Sequence, residues 1–179
     1  MTISPQLRRA SYVMAWLSTV GAVLGPALLV ACFAFPDGTR AMDIHLGHYG
    51  GYLTAAVPLG DRLFALVFAL IPTLIASWGL IALAGLFRCF VAGQVFTVQS
   101  LRALSHVTMA LFWNVIAAFV AEAPITYFLT NHLGHGHREI SLTLGSDDVQ
   151  VLFVAGVAYV IARVMAEARR LAEENEGFV

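Results

Sequence analysis

Glu122 is the residue whose type and place could do chemistry most directly. It stands in an otherwise apolar run, Ala103–Phe128, and is followed two positions later by Pro124. A carboxyl group inside a hydrocarbon layer is costly when unpaired, so such residues face the interior, pair or protonate, and are functional candidates by default. Pro124 has no N–H and leaves the carbonyl of Val120 without its helical donor, which would bend the helix beside the carboxyl group. Two roles fit: a proton-linked switch or ligand group, and a structural carboxyl bonded to a neighbour such as Thr73 or Tyr159.

Histidines form the second constellation. His45 and His48 lie in one polar connection, and His132, His135 and His137 in another, with Gly134 and Gly136 between them. Imidazole is a common ligand for zinc, copper and nickel, and joined by Asp43 or Glu139 the two sets could hold an ion or sense pH if the connections meet. The plainer reading of the same residues is a solvated, glycine-flanked turn. His106, at the start of the third apolar run, fits an interface residue. No cofactor is expected. The chain contains no phosphate-binding loop, no dinucleotide-binding glycine pattern and no His-Glu-x-x-His pair, and its serines lack an evident base and acid, so an enzyme is not expected.

These groups must be positioned by a chain of unusual composition. Apolar residues make up 59% of it and charged residues 12%, against about 45–50% and about 25% in soluble domains. So few charges cannot cover a water-soluble surface. All 10 basic residues are arginines, and the formal net charge is -1, so no basic face exists to attract nucleic acid directly. Four runs are long enough to cross a bilayer: about 12–35, 63–87, 103–128 and the shorter 149–166. They leave outer connections at 36–62 and 129–148, an inner one at 88–102 and a charged helix at 167–179. Arg8, Arg9, Arg88, Arg102, Arg163, Arg169 and Arg170 share one side, and Arg40, Arg62 and Arg138 the other. The excess predicts both termini in the cytoplasm of a bacterial inner-membrane protein. Leu29-Val30-Ala31-Cys32 is a weak match to a lipoprotein cleavage box, but the apolar run around it is longer than a signal-peptide core. On this segmentation Cys32 and Cys89 lie near opposite faces, too far apart for a disulfide.

The outer connections each carry an alternating stretch, Met42–Leu46 and Glu139–Leu144, preceded by Gly-Thr-Arg and Gly-His-Arg respectively. Period-two alternation suggests strands. The expected fold is therefore an all-α membrane protein, a four-transmembrane-helix bundle built as two helix–strand–helix halves, with a small two-stranded extracytoplasmic β-ribbon. In the inner connection Gly93 is placed to stop one helix and Thr97 or Ser100 to cap the next. Asp147 and Asp148 can cap the fourth helix, and beyond it Arg163 and Glu167, and Arg169 and Glu173, stand four apart as candidate ion pairs. Gly21 to Gly25 and the Ala155, Ala158, Ala162, Ala166 stripe suit close helix packing, within the chain or in a homo-oligomer.

The stretch Phe90-Val91-Ala92-Gly93-Gln94-Val95-Phe96-Thr97, with Leu101-Arg102-Ala103-Leu104, resembles the signature of a bacterial membrane family known as domain of unknown function 2975. Ala162-Arg163-Val164-Met165, Glu167, Leu171–Asn175 and Phe178-Val179 resemble that family's C-terminal helix, and Glu122-Ala123-Pro124 its acidic-proline element. The resemblance implies a four-span protein often encoded beside a small helix-turn-helix regulator, with no assigned activity. The expected function is a small inner-membrane sensor or interaction protein; Arg88, Gln94, Arg102 and Arg170 are candidates for its cytoplasmic contact surface and fit topology anchors equally well. A small transporter using Glu122, and an extracytoplasmic metal-binding module using the histidines, are the alternatives.

Overall fold

The computed structural model describes residues 5–36, 53–54, 56–94, 97–131, 140–143 and 145–176. Among them the chain forms four α-helices: α1 (Pro5–Ala34), α2 (Leu59–Val91), α3 (Val98–Thr130) and α4 (Ser146–Glu176). Each contains a segment long and apolar enough to cross a membrane. Helices of 30 to 33 residues extend about 45–50 Å at 1.5 Å per residue. The hydrocarbon layer is only about 30 Å thick, so the helix ends reach the headgroup layers. This is why the helices outrun the apolar runs at most ends: the run marks the stretch in hydrocarbon, while backbone pairing continues past it. The start of α1, the α2–α3 turn and the end of α4 share one face, here the turn face; the connections before α2 and α4 lie at the other, the connection face.

α2 is flanked by α1 and α3, and α4 packs on α3. The buried core gathers toward the connection face, where Leu29 and Phe33 of α1 meet Ala65 and Ala69 of α2, Ala121, Ile125 and Leu129 of α3, and Leu53 and Val57 of the connection. Phe64 and Phe68 stack on Phe128 with ring centroids 5.2 and 6.2 Å away. Large apolar side chains such as Val23, Val67, Val120 and Phe153 point outward. Lipid is as apolar as these side chains, so burial gives little drive for helix association; close backbone approach and polar contacts do more. Both occur between α2 and α3. A Cβ placed on Gly79 would sit 2.7 Å from the Cβ of Ala110, and the Asn114 amide donates to the Pro72 carbonyl at 2.8 Å. Other polar residues are satisfied within their own helix: Ser18, Thr19, Thr73, Ser77 and Thr108 each donate to the carbonyl four residues back. That pattern is how hydroxyl groups avoid exposure to hydrocarbon.

The turn between α2 and α3 is sealed at both ends. Gly93 has φ 78°, its N–H donates to Phe90 O and the Gln94 N–H donates to Cys89 O, the paired bonds of a Schellman stop. Thr97 then caps α3: its hydroxyl accepts from Ser100 N–H while the Ser100 hydroxyl accepts from Thr97 N–H, a reciprocal capping box. The family-like signature Phe90–Thr97 is thus largely a pair of helix caps. At the start of α4, the Gly145 N–H donates to Asp148 at 2.9 Å.

Two expectations need correction. The described residues contain no strand or sheet, so the two-stranded β-ribbon and the helix–strand–helix halves are withdrawn. Met42–Leu46 lies outside the described residues, and Ile140–Thr143 is extended chain whose polar groups bond to α3 rather than to a partner strand. On α4, Glu167 bonds Arg170 rather than Arg163, while the Arg163 guanidinium donates to the Tyr159 hydroxyl at 3.0 Å and lies over its ring.

Gly79→Ala is expected to force α2 and α3 apart and lower the melting temperature in detergent by several degrees. Gly85→Ala, where an added Cβ meets nothing within 4 Å, should leave it unchanged or slightly raised; equal effects would refute the close-approach account.

Candidate functional site

Glu122 lies on α3, two turns before the helix ends, and is only 3% exposed. Its neighbours along the same face, Ile125, Thr126, Leu129 and Thr130, are buried as well. The following connection reaches down to it. The Thr143 N–H donates to Glu122 Oε2 at 2.8 Å, the Thr143 hydroxyl to Oε1 at 2.6 Å and the Ser141 hydroxyl to Oε1 at 3.0 Å. One turn further along, the Thr126 hydroxyl donates to the Glu122 carbonyl at 2.9 Å and accepts from the Ser141 N–H at 3.2 Å. Residues 141 and 143 therefore turn their polar groups inward, while Ile140 and Leu142 stand 67% and 54% exposed.

The chemistry of the site follows from this donor set. An ionised carboxyl group only accepts hydrogen bonds, and the described groups bonded to it include one backbone amide, which can only donate, and two hydroxyls. Hydrogen bonds to a charged group contribute about 1.5–3 kcal/mol each, about twice the neutral kind. The arrangement can hold the segment that precedes α4 down onto a membrane helix, and it can release that segment if the carboxylate is neutralised or its donors are drawn elsewhere. It leaves the carboxyl group covered.

The other candidate residues are placed as follows. Pro124 lies inside α3 beside Glu122. Thr73 donates to the Ala69 carbonyl at 2.8 Å, and the Tyr159 hydroxyl takes the Arg163 bond, so both have partners on their own helices. His45, His48, His132, His135 and His137 lie outside the described residues; among the described ones no group of three or more His, Cys, Asp or Glu could hold a metal ion. Cys32 and Cys89 are free and buried, near the connection and turn ends of their helices. Arg88, Gln94, Arg102 and Arg170 are exposed on the turn face. Arg170 bonds Glu167 and lies 3.8 Å from Glu174, so its charge is already engaged. His106 stands against Trp78, ring centroids 5.6 Å apart.

Ser141, Thr143 and Thr126 escaped the sequence reading. The signal was present: hydroxyl residues at 141 and 143 alternate with Ile140 and Leu142, and Glu122, Thr126 and Thr130 form an i, i+4 polar stripe on a span. The Asn131 amide adds a tie at the end of α3, donating to Asp61 in the first turn of α2 at 3.1 Å.

Side-by-side apolar helices with lipid-facing outer surfaces and a buried carboxylate fastening one connection define a multi-pass helical membrane protein. A family model described as "Protein of unknown function (DUF2975)" matches residues 14–178, and the chain belongs to that family. No curated protein and no solved structure matches it.

Glu122→Gln keeps the shape of the side chain but sets an NH2 donor against a fixed amide donor and two hydroxyls. Amide exchange at Thr143 is expected to quicken about tenfold, the equivalent of one lost charge-assisted bond. Thr143→Val should do the same at Ser141, and unchanged exchange in both variants would show that the carboxylate does not hold the segment.

Proposed function

We propose that the protein is a small bacterial inner-membrane sensor or interaction protein, with its turn face in the cytoplasm, that partners a helix-turn-helix transcription regulator. One observation carries the reading: the segment bonded to Glu122 leads, three positions after Thr143, directly into α4. α4 packs on α3 and its apolar span is mostly exposed to lipid, so the bonds at Glu122 are a principal restraint on where it starts. A signal that draws Ser141 or Thr143 away, or neutralises the carboxylate, loosens α4 at one membrane face and moves its charged end at the other. Such a signal works only by binding the two packings unequally. The burial of Glu122 weighs against the transporter alternative, because a permeation path needs the carboxylate reachable.

The topology supports the same orientation, since Arg8, Arg9, Arg88, Arg102, Arg163, Arg169 and Arg170 belong to the turn face and excess arginine marks the cytoplasmic side. The test is recovery of partners with tagged protein from native membranes in mild detergent. A helix-turn-helix regulator should copurify, should be lost on deleting residues 166–179, and should change in yield severalfold with Glu122→Gln. Recovery of the protein alone would overturn the reading.

A further inference from the structure

We propose that the groove between α1 and α2 at the turn face is a binding site for the headgroup of an anionic phospholipid. A cavity of about 330 Å³ opens there, lined by Tyr12, Trp16 and Thr19 of α1 and by Arg88 of α2. A second of about 340 Å³ adjoins it, sharing Tyr12, with Arg8 and Arg9 on its wall. Three guanidinium groups from two helices thus border one continuous depression. Among the described residues no carboxylate pairs with any of them; Arg88 makes one bond, donating to the Thr19 hydroxyl at 3.3 Å. That bond turns the Arg88 side chain from its place near the end of α2 toward α1 and into the groove.

The occupant follows from the setting. Tyr12 and Trp16 are 66% and 61% exposed, and amphipathic aromatic rings of this kind sit at headgroup level. The rest of the lining is apolar, which suits the upper part of an acyl chain below a headgroup. Arginine forks match phosphate oxygens in paired hydrogen bonds, and basic pockets between membrane helices take anionic headgroups. A zwitterionic lipid brings its own ammonium group against three cations and gains less. The site is separate from Glu122, which lies toward the connection face, and does not depend on the sensor reading.

The test uses the full chain, purified in detergent and titrated with phosphatidylglycerol or phosphatidylcholine, bound lipid being counted by native mass spectrometry. Phosphatidylglycerol should be retained over phosphatidylcholine. Arg88→Gln, and separately the double change Arg8→Gln with Arg9→Gln, should weaken it about fivefold per arginine. Arg88→Lys should retain part of the affinity, and Arg170→Gln, whose arginine is engaged on α4, should retain all of it. Should Arg88→Gln lose helicity by circular dichroism, the Arg8 and Arg9 variant decides, since those side chains are exposed at the start of α1. Equal retention of the two lipids, equal weakening by Arg170→Gln, or displacement of the lipid by inorganic phosphate would each overturn the proposal.

Discussion

A carboxylate sunk beside the hydrophobic core cannot be left without donors, and that constraint organises the connection face. Glu122 is 3% exposed, so protein groups must satisfy it, and the described donors come from the chain 19 and 21 residues later. The consequence is a long-range tie in a molecule whose helices otherwise meet mainly through small residues and aromatic stacking. Around it the core residues Ala121, Ile125 and Leu129 pack against α1 and α2, so the tie reports on a region where three helices and a connection converge. The Asp61–Asn131 bond closes the same end of the molecule between α2 and α3.

Elsewhere the membrane decides the rules of assembly. Polar side chains in the spans turn back on their own helices, and helices approach where side chains are smallest, as at Gly79 and Ala110. On α4, Ala155 is buried and Ala158 and Ala162 are half-buried on one stripe, toward α3, while Phe153, Val157 and Val160 face outward. A helix that offers mainly small residues to one neighbour gains little dispersion energy there, which makes its attachment at Glu122 proportionately more important.

The spans were legible because hydrocarbon thickness imposes a length and an apolar composition that no other setting demands. The helix stop at Gly93 and the cap at Thr97 were legible for a local reason: each is specified by residues within one turn. The ribbon was misjudged because alternation has two causes. In Ile140–Thr143 the polar residues alternate to meet a carboxyl group and the apolar ones stand exposed, and among the described residues no neighbouring strand is involved. Periodicity tells which side chains share a side of an extended chain, never what that side faces. The partners of Glu122 were hidden for the same reason, since Thr73 and Tyr159 are plausible by depth alone whereas Ser141 and Thr143 arrive by a connection that folds back into the span.

The α2–α3 turn is closed by local bonds. Between the last residue of α2 and the first of α3 lie only residues 92–97, and the cap bonds at both ends are made by the turn's own residues and the adjoining helix turns. Among the described residues, none of these cap bonds involves α1 or α4. The two middle helices thus constitute a helical hairpin with a locally closed turn, held along its length by the Gly79–Ala110 contact and the Asn114 bond. The outer helices pack one on each flank, and the connection into α4 crosses back to the hairpin's own carboxyl group, so each end of the chain is attached to a different arm of the same hairpin.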